Sequence, residues 1–356
     1  MKTQRQQSNE AMTNTHHLSN FSTSLLVVAL LGSVACSEDA PSSDGTAGTS
    51  GTAGTSGTAG TSGTAGTSGT AGTSGNGGSD ELVGTFQVQL SPQGNSASIL
   101  GKVGSGPTPS SLQWELVREV GDCLLEKPKV PFCDPACGSD VCVADGVCQP
   151  YPTAVDAGEV RVTGVKTQDG SADFTLLRVA GTYQPPGSIK LAFPPFDEGD
   201  PVRFEAAGQE VSAFTLEGKG IAPLVVTGEA PAIELGKPLD LSWEPAADPD
   251  ASVLRVKLDI SHHGGTKGMI ECETRDTGSL SIDAGLVEEL VSLGVAGFPT
   301  VILTRRAVSS ASTSVGRVDL VISSDQEIAI GVPGVVSCTD NEDCPSGTCR
   351  ADLTCE

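Results

Sequence analysis

The placement of cysteine limits this chain more than any other feature. Eight of its 11 cysteines fall into two short clusters of nearly the same spacing. The first runs Cys133-x3-Cys137-x4-Cys142-x5-Cys148 and the second Cys338-x5-Cys344-x4-Cys349-x5-Cys355, so that the last two intervals are identical. The segment Cys123 to Cys148 has no periodic apolar face and must be held by its sulfurs. Four cysteines can also make a closed tetrahedral zinc site. Neither cluster has the paired Cys-x2-Cys knuckles with which two thiolates grip one metal, so disulfides are expected here, with no metal and no cofactor.

The run Cys338-Thr-Asp-Asn-Glu-Asp-Cys-Pro-Ser-Gly-Thr-Cys349 resembles short cysteine-rich repeats of secreted proteins. Four cysteines allow three connectivities, of which first-to-third and second-to-fourth is the expected one. If each cluster closes on itself, Cys123 and Cys272 remain, and a bridge between them is the simplest expectation. That leaves Cys36 as the odd cysteine.

Cys36 has its own context. Behind Lys2 and Arg5 the apolar run from Leu25 to Leu31 gives a hydrophobic segment of about 7 to 11 residues, against the roughly 20 of a membrane-spanning helix. A secretory signal fits this length. Ser33-Val34-Ala35-Cys36 resembles the cleavage and lipidation box of bacterial lipoproteins, with Ser33 where that box usually has Leu. The resemblance implies that Cys36 takes a diacylglycerol and becomes the new N-terminus. The same residues also suit an ordinary signal peptidase, which would release a soluble protein. Acylation is the expectation, because the cysteine lies at the cut and a tether follows. Acyl chains contribute about 0.8 kcal/mol per buried methylene, enough for two or three to anchor stably. The tether contains five copies of Gly-Thr-Ala-Gly-Thr-Ser from Gly45 to Ser74. It has no residue that could stack a solenoid core, and as a flexible linker its 44 residues from Ser37 to Asp80 reach about 35 to 40 Å.

The formal net charge is −23. Residues 1–35 carry Lys2, Arg5 and Glu10, a net +1, so the remainder stands at −24. Such a surface repels phosphate backbones, and nucleic acid is not an expected partner. With 44 Gly, 22 Pro and few aromatics, short apolar runs between turn signals predict an all-β chain of two β-sandwich-like domains with two small disulfide-rich knots. The expected divisions are a signal peptide at 1–35, lipidated Cys36 and linker at 36–80, and a β-domain at 81–229 with a cysteine-rich insert at 123–148. A second sandwich at 230–335 and a terminal knot at 336–356 follow. Alternation predicts strands at Phe86–Leu90, Ile99–Val103, Leu112–Val120, Val160–Val162, Phe174–Val179, Ile189–Phe193, Val202–Ala206, Val211–Leu216 and Leu224–Val226.

From about residue 230, Pro238-Leu-Asp-Leu-Ser-Trp243-Glu-Pro245 and then Val253 to Ile260 resemble the early strands of fibronectin type III and immunoglobulin-like domains. The resemblance implies a sandwich over residues 230–335. An insertion departs from the module: Asp283 caps a predicted short helix whose Leu286, Val287, Leu290 and Leu293 share a face, and Gly294 ends it. Val301–Thr304, Val315–Ile322 and Glu327–Val332 complete the predicted sheets.

Several motifs suggest chemistry. Asp276-Thr-Gly-Ser279 matches the active-site tetrapeptide of aspartic proteases, whose mechanism needs two aspartates sharing a proton; only one copy exists here. His262-His263-Gly264-Gly265 is similar to the glycine-rich oxyanion loop of some esterases, without the Gly-x-Ser-x-Gly elbow they need. On a strand, neighbouring side chains point opposite ways and do not converge on one ion, and the pair reads as a loop with surface imidazoles. Phe193-Pro-Pro-Phe196 with Asp197 to Asp200 reads as a rigid corner and a solvated acidic turn, or as a sugar or calcium loop. Asp248-Pro-Asp250 and Asp340 to Asp343 lack the ligand alternation of a strong calcium site.

Anchor, tether and terminal cluster together resemble the cysteine-containing surface lipoproteins of myxobacteria and similar Gram-negative soil bacteria. The resemblance implies location in the cell envelope, with Ser37 after the cysteine favouring the outer membrane. The expected function is non-enzymatic: sandwich domains that bind an envelope protein or glycan, or build the envelope, held to the membrane by the lipid. The alternative is an envelope hydrolase acting through Asp276 or His263.

Overall fold

The computed structural model describes residues 81–356. The signal segment, Cys36 and the repeat tether lie outside the described residues. The chain is all-β, with one short helix and two disulfide-rich clusters.

Its strands are β1 (Leu82–Ser91), β2 (Ser96–Val103), β3 (Gln113–Val120), β4 (Cys123–Lys129), β5 (Val141–Ala144), β6 (Val147–Gln149), β7 (Val160–Thr163), β8 (Asp173–Val179) and β9 (Thr182–Gln184). They continue as β10 (Pro201–Ala206), β11 (Phe214–Lys219), β12 (Val226–Thr227), β13 (Leu239–Trp243), β14 (Val253–Asp259), β15 (Met269–Arg275) and β16 (Ser279–Ile282). After the helix α1 (Ala284–Ser292) come β17 (Thr300–Ser312) and β18 (Arg317–Ala329). Ile189–Phe193 does not form one of these strands. It makes a single bridge, Leu191 to Thr167, and the proline pairs 185–186 and 194–195 on either side cannot extend a ladder beyond it.

Thirteen strands form one sheet in the order β11-β10-β7-β8-β9-β2-β1-β18-β17-β14-β15-β4-β3. Period-two alternation turns Phe86, Val88 and Leu90 of β1 inward, with Val160 and Val162 of β7, Val202 and Phe204 of β10 and Leu216 of β11, to make the first core. There the sheet curls until β11 packs against β17 and β18. The second core lies between β18-β17-β14-β15 and a three-stranded sheet, β12-β13-β16, and contains Leu239, Leu241, Trp243, Leu254, Val256 and Leu258. Two sheets facing each other across this core make the β-sandwich that the Trp243 segment led one to expect. α1 is the insertion: the Asp283 carboxylate accepts from the backbone N–H of Gly285 and Leu286, and Leu286, Val287 and Leu290 are buried in the second core.

The two cores do not divide the chain at a single point. β4 pairs with β15, and its inward Cys123 and Leu125 belong to the second core. β1 pairs in parallel with β18, joining residues on either side of the expected 229/230 division. One face of the β17–β18 hairpin serves both cores: Val301 and Leu303 face the second, Ala307 and Ala311 the first. Between them, on the same alternation, stands Arg305, paired across the ladder with Ser324.

Candidate functional site

Asp276 lies in the turn between β15 and β16, and neither it nor Arg305 has more than 1 % of its surface exposed. Its Oδ1 accepts from Trp243 Nε1 at 2.8 Å and Arg305 Nη2 at 3.1 Å; its Oδ2 accepts from Ser252 Oγ at 2.8 Å and Arg305 Nε at 2.5 Å. Burial pushes this carboxyl up. The Arg305 and Ser252 hydrogen bonds, the guanidinium charge and the Trp243 bond outweigh burial, so the net direction is downward from the ordinary 3.8. Arg305 also donates to the carbonyls of Ala222 at 3.2 Å, Pro223 at 3.4 Å and Glu244 at 2.5 Å. Ala222 and Pro223 belong to the connector that leaves the first core for the second, and Leu224 N donates to Ser324 Oγ at 2.9 Å beside them.

With all its acceptor capacity filled and no water-facing oxygen, Asp276 is a strut at the seam of two cores. The aspartic-protease dyad requires a second carboxylate across a shared proton, and here the partner is a guanidinium. The hydrolase alternative therefore loses Asp276. Arg305 is the residue that sequence reasoning missed. A charged residue in phase with Val301, Leu303 and Ala307 was the available signal.

The His262–His263 segment is a loop, as expected, with His262 half-buried and His263 exposed. The pair lies beyond β14 in a turn, with His263 at φ +63°, so the strand rule that separates neighbouring side chains does not apply. The ring centroids are 3.9 Å apart at an interplanar angle of 55°, and His262 Nε2 is 3.6 Å from Glu327 Oε1. The following glycines serve packing: a Cβ on Gly264 would lie 2.2 Å from Gly297 N, and one on Gly297 would lie 2.0 Å from the His262 carbonyl. Gly264 N is occupied by the Ser261 carbonyl at 2.9 Å, which removes it as an oxyanion donor.

The ten described cysteines form five disulfides: Cys123–Cys272, Cys133–Cys142, Cys137–Cys148, Cys338–Cys349 and Cys344–Cys355. Both clusters thus pair first to third and second to fourth. Sulfurs of Cys133, Cys137 and Cys148, and of Cys338, Cys344 and Cys355, lie within 4.8 Å of one another, but sulfur bonded to sulfur has no thiolate to offer a metal. The clusters differ in setting. Cys338 and Cys344 are buried, and the second cluster docks through Gly297 N to the Asp352 carbonyl at 2.7 Å and Ser337 Oγ to the Gly297 carbonyl at 2.6 Å. The first extends from β4 and leaves Val130, Phe132 and Val147 exposed.

The remaining motifs are structural. Phe196 is buried in the first core, and Lys166 Nζ reaches Asp197 at 2.8 Å and Asp200 at 3.6 Å. Asp250 pairs with Arg275, and Asp343 Oδ2 accepts from the Thr339 backbone and hydroxyl at 2.8 Å each. An open cleft of about 400 Å³ at the seam is lined by Pro92, Gln93, Val225, Glu229, Gln326 and Ile328 among others, a mixed apolar and polar surface. Among the described residues no helix is long and apolar enough to cross a membrane.

No protein-family model matches the chain, and no curated protein does. Among solved structures, the chicken CNTN1 FN1-FN3 domains align over 65 % of this chain and 70 % of that one, at 11 % identity and a TM-score of 0.14.

Proposed function

We propose that this chain is a lipid-anchored protein of the bacterial cell envelope, in the outer membrane, whose disulfide-stapled β-sandwich modules bind another surface protein or a glycan without catalysis. The observation that carries the reading is the cysteine balance. Ten cysteines pair among themselves in the described residues, which leaves Cys36, the residue at the lipidation box, with no intrachain partner. Five disulfides suit an oxidising compartment outside the cytoplasm. The commitment of Asp276 to the core seam supports a non-enzymatic role. Two hydrophobic cores that share the β17–β18 hairpin make a scaffold that presents loops and edges from one continuous sheet.

Mass spectrometry of the N-terminal peptide from envelope fractions tests the anchor. The expected result is a diacylglyceryl-modified Cys36; a bare thiol at Cys36, or recovery from the cytoplasm, overturns the proposal. Pull-down with the mature chain from envelope extracts tests the binding role, and should recover one partner that an unfolded, reduced control does not.

A further inference from the structure

We propose that the free edge of β3 is an interface for a second copy of this chain, the two β3 strands pairing antiparallel with Glu115 of each copy opposite Arg118 of the other. β3 ends the thirteen-stranded order and pairs only with β4. Among the described residues, the main chain of 113–120 makes no other hydrogen bond. One row of its N–H and C=O groups is therefore left to solvent, a template for another strand. Apolar side chains lie along the same edge: Leu116 and Val117 on the strand, and Val130 and Phe132 just beyond β4, are all exposed.

Charge decides the register. Glu115 lies opposite Lys127 and Arg118 opposite Leu125, while the bulge at Leu116 and Val117 takes the single rung between them, opposite Glu126. Glu115 and Arg118 are thus three apart in sequence but two rungs apart in the ladder, on one face of the sheet. A bulge on an edge strand ordinarily turns the edge away from a partner; here it is the centre about which the charges are symmetrical. A two-fold axis through it sets Glu115 against Arg118 twice, with Trp114 against Glu119 and Gln113 against Val120, and opposes no like charges. Moving the axis one rung either way sets Glu115 against Glu115 or Arg118 against Arg118. Opposite charges on facing strands stabilise a pair and like charges destabilise it. Within one chain Glu115 Oε2 lies 3.4 Å from Lys127 Nζ, and Arg118 Nη1 lies 3.7 Å from Glu289 Oε2, with all four side chains at least 38 % exposed. Pairing joins these into a row of alternating sign, Lys127 and Glu115 of one copy followed by Arg118 and Glu289 of the other.

Sedimentation equilibrium of the mature chain beginning at Cys36, with Cys36→Ser to prevent a thiol-linked dimer, tests the interface. The expected result is a reversible monomer–dimer equilibrium in which the β3 amides exchange hydrogen more slowly at high protein concentration than at low. Glu115→Arg and Arg118→Glu each oppose like charges twice, and each should weaken the dimer at least about tenfold. Mixed in equal amounts, the two variants regain both opposite-charge pairs across the seam, so a heterodimer should form where neither variant pairs with itself. A parental chain that stays monomeric up to about 1 mM, a dimer that leaves β3 exchange unchanged, or a mixture that associates no more tightly than the single variants overturns the interface.

Discussion

Arg305 Nε lies 2.5 Å from Asp276 Oδ2, both side chains shut off from solvent where the two hydrophobic cores of the chain meet. The guanidinium also gathers three carbonyls from two separate segments. A sheet running through two cores needs something at the crossing that fixes how the connector passes over it, and this ion pair supplies that contact.

Removing one partner leaves a buried uncompensated charge, which costs about 3–5 kcal/mol. Asp276→Ala should lose about that much in chemical denaturation, and Arg305→Met a similar amount. Replacing both, Asp276→Leu with Arg305→Met, should cost less than the sum of the singles, because no charge is stranded. If Asp276→Ala unfolds with parental stability, the seam is not held in this way.

The same pair sets an acid limit. Asp276 is held below its ordinary 3.8 in the folded state, so the unfolded chain takes up its proton first as the pH drops. The stability contributed by the carboxylate is complete above the unfolded value and is lost as pH falls through the depressed folded one. Asp156 behaves likewise: the Gly158 N–H, then the Tyr183 hydroxyl and Arg178, hold it low against a smaller opposing effect of burial. A denaturation series from pH 6 down to about pH 2 should show stability falling below about pH 4, with a shallower slope for Asp276→Asn at its lower overall stability.

Much of this architecture was legible in the sequence because alternation and caps are local. Phe86 to Leu90 and Leu254 to Leu258 showed their buried faces as period-two runs, and Asp283 with Gly294 marked both ends of the helix. The parallel partner of β1 was not legible, since Gln87 reaches Ser323 across a separation of 236 residues and nothing near either residue names the other. The loop at His262 and His263 was legible, but its geometry was not. The close approach of the two rings depends on a turn beyond β14 with His263 at positive φ, which no local pattern marks.

The five disulfides should differ in weight. Cys123–Cys272 spans 149 residues and the cluster bridges 9 or 11. Loop-closure entropy then gives the long bridge about 5 kcal/mol and each short one about 3. Cys123 and Cys272 also lie directly opposite on β4 and β15 within the second core. Cys123→Ala with Cys272→Ala should lower stability more than Cys137→Ala with Cys148→Ala, and should free the β3–β4 hairpin for early hydrogen exchange. Equal losses from both pairs would mean that the hairpin is held by packing alone.

The terminal cluster hangs on Gly297. At φ +56° a side chain there is strained, and its Cβ would strike the His262 carbonyl at 2.0 Å and Gly264 N at 2.4 Å. Relief requires the 296–298 loop to back away, which breaks the bond from Gly297 N to the Asp352 carbonyl and the bond from Ser337 Oγ. The two disulfides of the cluster are internal to residues 338–355, so the module can separate from the sandwich without unfolding. Gly297→Ala should therefore cost about 1–3 kcal/mol and expose the connector near Pro333 to limited proteolysis. The released fragment should keep both disulfides, while the first core, which Gly297 does not touch, retains its hydrogen-exchange protection. Parental resistance to protease in Gly297→Ala would show that the cluster is secured elsewhere.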